Sequence, residues 1–117
     1  MFSIKAIISV FLQQTQWNIN KGKCGVCGDP YNAPHPRDHE AGGIYGNGII
    51  TGKYKSGQIL EAVVEMTANH NGYLEFKICP NNDITKEAPE ECLDKYPLEL
   101  AEGEGTKYDI TGKGKGT

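Results

Sequence analysis

Two short runs of alternating polarity, separated by a polar turn, constrain this chain more than any other feature. From Gln58 to Ala68 the apolar residues Leu60, Ala62, Val64, Met66 and Ala68 share one parity, while Glu61, Glu65 and Thr67 share the other. Val63 breaks the pattern mildly. From Tyr73 to Cys79, Leu74, Phe76 and Ile78 alternate with Glu75 and Lys77. Side chains on an extended backbone point to opposite faces in turn, so a period of two marks a strand with one buried face. Between the runs lies Asn69-His70-Asn71-Gly72, and Asn and Gly accept the positive φ that a reversal requires. The pattern predicts a β-hairpin with His70 at its tip, where a side chain can meet a ligand.

The rest of the chain supports an all-β reading. Pro30, Pro34 and Pro36, with Gly42, Gly43, Gly46 and Gly48, fall between Asp29 and Gly48. Proline fixes φ and removes a donor, so this is a long irregular loop. Residues 80–86 are turn-rich, and Glu87 to Tyr96 holds one helical turn interrupted by Pro89. A short strand is expected over Tyr96 to Leu100, and Thr111 to Thr117 reads as a low-complexity Gly-Lys tail. No internal repeat is visible. At 117 residues the chain is at most one domain. Its two to four strands fall short of the roughly seven of a sandwich.

The first sixteen residues form a separate leader. Lys5 followed by apolar Ala6 to Leu12 resembles a secretory signal, but Gln13, Gln14, Thr15 and Gln16 are a poor cleavage site. A short amphipathic leader explains the run as well. It is too short for a membrane span, which takes about twenty apolar residues. A net charge of -3 with scattered basic residues gives no footprint for nucleic acid.

The four cysteines take their meaning from the compartment. Cys79 and Cys92 look like a local disulfide, worth about 3 kcal/mol by chain entropy. Cys24 and Cys27 pair with each other, or one has a partner elsewhere. In a reducing compartment Cys24, Cys27, His35 and His39 are a candidate zinc set. The spacing argues against a finger: seven residues separate Cys27 from His35, and Pro36 breaks any helix carrying the histidines. A redox Cys-x-x-Cys lacks its preceding strand and following helix.

Several blocks occur in order: KGKCGVCGDPY, PRDHEAGGIYGNGII, TANHNGY, CPNND and ECLDKYPL. Together, over Trp17 to Ile110, they resemble the insect-type auxiliary-activity family fifteen of lytic polysaccharide monooxygenases, a chitin-binding type-4 domain. The resemblance implies a partial immunoglobulin-like β-sandwich with long disulfide-tied loops. It implies a secreted, monomeric protein that oxidises chitin or cellulose at one copper ion, with an external electron donor and no membrane or nucleic-acid partner. In that family copper sits in a brace made by the amine and ring of an amino-terminal histidine and by a second histidine. Three nitrogens suit copper and leave a position open.

Carried onto this sequence, His70 in TANH matches the second brace histidine, and Ala68 matches the small residue shaping an axial copper position. No histidine precedes His35, so the first brace histidine has no counterpart, and neither Tyr96 nor Tyr108 takes the family's axial tyrosine role. No copper role passes to His35 or His39. The expectation is a fragment or variant of a copper monooxygenase, inactive as it stands. The alternatives are a non-catalytic chitin-binding protein, using Tyr31, Tyr45 and Tyr73, and a small zinc module.

Overall fold

The run Tyr73 to Cys79 is extended, as its period of two requires. In the computed structural model, which describes residues 2–6 and 14–116, this run becomes the central strand of a three-stranded antiparallel sheet. β1 (Phe2–Ala6) lies along one edge of β2 (Tyr73–Pro80), with Phe2 opposite Pro80 and Ala6 opposite Phe76. β3 (Lys107–Asp109) pairs on the other edge, with Tyr73 opposite Asp109 and Glu75 opposite Lys107. That edge continues at Pro97, where Ile78 N–H donates to Tyr96 O at 3.0 Å and Leu98 N–H to Phe76 O at 2.8 Å. The expected strand over 96–100 is thus a single bridge. Of the apolar stretch Ala6 to Leu12, all but Ala6 lies outside the described residues.

The all-β class holds, but the hairpin does not. Residues 58–68 do not pair with β2, because β1 and β3 occupy both of its edges. Within that run, Met66 bridges to Gly116, with backbone hydrogen bonds of 2.7 and 3.1 Å. The parity survives as a side-chain rule. Leu60, Val64 and Met66 line a cavity of about 1650 Å3 together with Leu74, Phe76 and Ile78 of β2. An apolar sheet face opening on such a space is what one layer of a β-sandwich presents.

The opposite face of β2 carries the compact core. Pro89 does not interrupt a helix; it stands at the N-cap of α1 (Glu90–Asp94), with φ -71° and ψ 151°. A proline lacks an N–H that the first turn would leave unused. Glu90 and Glu91 place negative charge at the helix start, where the backbone dipole favours it. Cys92 of α1 is disulfide-bonded to Cys79 of β2. Leu93, 1% exposed, packs with Cys79, Val26 and Ala88. The Lys77 ammonium meets Asp94 on the same face. This cluster seats the irregular 24–45 loop against β2 and α1 through Val26.

Candidate functional site

His70 is exposed, in the turn that feeds β2. The reversal uses the left-handed conformations the sequence predicts, at Asn71 (φ 63°) and Gly72 (φ 106°). The Asn69 amide spans the turn: its Oδ1 accepts from Asn71 N–H at 2.7 Å, and its Nδ2 donates to Ile110 O at 2.8 Å and to Lys113 O. Asn71 Oδ1 accepts from Gly112 N–H at 3.0 Å. Ile110, with residues 111–113 that the sequence reads as the start of a low-complexity tail, therefore holds the His70 turn. Ala68 is exposed on the approach to the same turn.

The other two histidines belong to a separate polar cluster in the proline-rich loop. His35 Nδ1 lies 2.7 Å from Glu87 Oε1. His39 Nδ1 lies 2.8 Å from Asp29 Oδ1, and its backbone N–H donates to Asp29 Oδ2 at 3.2 Å. Cys24 is a thiol, its Sγ 3.9 Å from Asp29 O. Cys24 and Cys27 are not joined to each other. Within the candidate zinc set, Cys24 and His39 both meet Asp29, while His35 faces Glu87. Among the described residues, the acidic and imidazole groups that do converge are His35, Glu40 and Glu87, whose ligand atoms lie within 4.8 Å of one another.

A buried cation fills that convergence. Arg37 Nη1 donates to both oxygens of Glu40, at 3.0 and 3.1 Å, and lies 4.0 Å from Glu87 Oε2. Its Nη2 donates to Tyr31 O at 2.7 Å. Glu40 Oε1 also accepts from Val26 N–H at 3.1 Å. Burial, then the hydrogen bond to Glu87, raises the Glu40 carboxyl above its ordinary value, against the pull of Arg37. Glu87 moves the other way, lowered first by the Glu40 hydrogen bond and then by His35. Two carboxyls this close do not ionise independently, so the Glu40 carboxyl is displaced upward and the Glu87 carboxyl downward. Gly43 and Gly46 make the arrangement possible, since a Cβ there would overlap the carbonyls of Arg37 and Glu40. The i,i+3 spacing of Arg37 and Glu40 was the available sequence signal; their burial was not readable from it.

The Asp29 hydrogen bond is the main cause raising the His39 imidazole above its ordinary value. The favourable charge state is then fully present below the unfolded value of about 6.5 and is lost as pH rises through the higher folded value. In an NMR titration, His39 is expected to titrate above a free imidazole, and Asp29→Asn to bring it down. A midpoint unmoved by Asp29→Asn refutes the pairing.

The tyrosines named for sugar contact are all on the surface. Tyr31 lies under Lys23 and Arg37, each 5.2 Å from its ring centre. Tyr45 meets the His39 ring at 5.0 Å, and Tyr73 lies under Lys107 at 4.4 Å.

Comparison with known proteins bears on these features. Residues 5–115 match a family model described as lytic polysaccharide mono-oxygenase, cellulose-degrading. Among solved structures, the chain is similar to a lytic polysaccharide monooxygenase AA15 from Thermobia domestica in the Cu(I) state. The two are 38% identical with a TM-score of 0.75, covering 88% of this chain and 53% of that one. The chain thus spans about half the length of that structure. No curated protein matches it.

Proposed function

Because this chain belongs to the lytic polysaccharide mono-oxygenase family, we propose that it carries one imidazole of a copper site, His70, and that it acts on chitin or a similar crystalline polysaccharide. The observation that supports this reading is an exposed histidine on a fastened turn, inside the matched region. Copper bound there would supply oxidative cleavage of the polysaccharide, with electrons from an external donor. The chain's own part is to hold the His70 ring at the surface, with the small Ala68 side chain leaving room beside it.

The donor set fits copper in part. An exposed imidazole is a good nitrogen ligand. His35 and His39 are committed to Glu87 and Asp29, and no cluster of three ligating side chains among the described residues includes His70. We assign the amine and ring of an amino-terminal brace histidine to none of residues 1–117. Secretion suits the Cys79–Cys92 disulfide, which persists in oxidising compartments. No described helix is long and apolar enough to cross a membrane.

A polypeptide of these 117 residues, given Cu(II) and a reductant, is expected to release oxidised chitin oligosaccharides no faster than free copper. Mass spectrometry of the soluble products checks this. Products above that background, and absent from His70→Ala, refute the inactivity. The exposed Tyr31, Tyr45 and Tyr73 favour a second reading, non-catalytic binding to chitin. Retention on chitin in the presence of EDTA supports it, and no retention sinks it. Amino-terminal sequencing of the native protein separates the two, since a mature chain beginning with histidine completes the brace.

A further inference from the structure

The geometry points to Asn69 and Asn71 as positioning residues that clamp the His70 turn onto residues 110–113; this rests on the reading of His70 as a copper ligand. The two asparagines flank His70 in sequence, and each reaches a segment some forty positions away. Asn69 Nδ2 donates to Ile110 O and Lys113 O, while Asn71 Oδ1 accepts from Gly112 N–H. Asn69 Oδ1 closes the turn itself by accepting from Asn71 N–H. Backbone bonds flank the clamp, from Ile110 N–H to Gly72 O at 2.9 Å and between Met66 and Gly116.

The chemistry of each amide defines its role. Asn69 uses both ends of its amide, one accepting within the turn and the other donating to two carbonyls. Aspartate there keeps the acceptor but turns an oxygen toward two carbonyl oxygens, so it cannot replace asparagine. Asn71 uses its acceptor alone, in a left-handed conformation that asparagine and aspartate tolerate and glycine adopts without strain. Aspartate at 71 therefore preserves the clamp, whereas glycine removes the acceptor without straining the backbone. A turn tied on both sides leaves the imidazole only its own side-chain torsions. A ligand that must meet other nitrogens at one metal needs this restriction, because outer groups that orient a first ligand govern how it binds.

The test uses the 117-residue chain and Cu(II) alone, read by NMR. In the parent, copper is expected to broaden the amide signals of the His70 turn together with those of residues 110–113. In Asn69→Asp and Asn71→Gly the turn still broadens, the 110–113 signals recover, and the Gly112 amide exchanges about three- to tenfold faster. Asn71→Asp retains the parent pattern. The β2 amides report the fold in each variant, and should Asn69→Asp unfold, the Asn71→Gly and Asn71→Asp pair decides alone. Parent-like broadening and exchange in Asn71→Gly overturn the clamp. His70→Ala tests the underlying reading separately: it abolishes the broadening if His70 binds copper, and broadening that survives overturns that reading whatever the asparagines do.

Discussion

Arg37→Ala is expected to lower the free energy of unfolding by about 3–5 kcal/mol at neutral pH, the usual cost of removing one partner of a buried ion pair. Arg37 is 7% exposed and Glu40 1%. The guanidinium supplies both bonds to the Glu40 carboxyl and the bond to Tyr31 O. Without it, Glu40 keeps only the Val26 N–H among these donors. Its pKa, already raised by burial, rises further. The folded state then binds more protons than the unfolded one between about 4.3 and that raised value, so stability falls as pH climbs through the window. Glu87, lowered in the folded state, works in the opposite sense, contributing above its unfolded value and losing that contribution as pH falls through its folded one. The Arg37→Ala loss should therefore be larger at pH 7 than at pH 4.5 when both are measured by urea unfolding. Arg37→Lys should recover little, because one ammonium cannot hold the carboxylate and the Tyr31 carbonyl with the same planar fork. A loss under about 1 kcal/mol at pH 7 shows that the pair is not effectively buried.

Replacing both Cys79 and Cys92 by serine is expected to cost about 3 kcal/mol. The bond closes a loop with a sequence separation of 13, so its loss returns that loop's freedom to the unfolded chain. The native state suffers too, since Cys79 is 1% exposed and packs in the cluster with Leu93, Val26 and Ala88. A hydroxyl placed there must find a partner or remain unsatisfied. Dithiothreitol should lower the parent's denaturation midpoint by a comparable amount and leave the double variant unmoved. An unchanged midpoint in reduced parent shows that α1 is held to β2 by packing alone.

The Arg37 effect arises where the sequence is least legible, whereas the Cys79–Cys92 bond is already suggested by the cysteine spacing. Alternation correctly marked Leu74, Phe76 and Ile78 as one face of a strand, because a period of two is built into extended backbone. It also placed Leu60, Val64 and Met66 on the side facing them. It could not say that residues 58–68 would not pair with β2, because strand pairing depends on which edges other segments occupy. By residue type alone Pro89 reads as a break rather than a start, since its cost or benefit depends on its position relative to the first helical hydrogen bond.

The amino-acid sequence by itself determined the all-β class, the irregular 29–48 loop, the left-handed turn carrying His70 and the family to which the chain belongs. Each is a local or motif property, carried by residue type and spacing. Only the tertiary structure decided that Arg37 lies between Glu40 and Glu87, that Cys24 and His39 share Asp29, and that Asn69 and Asn71 tie the His70 turn to residues 110–113. These are contacts among side chains far apart in sequence or hidden from water. Their partners are chosen by packing geometry, which no local pattern encodes.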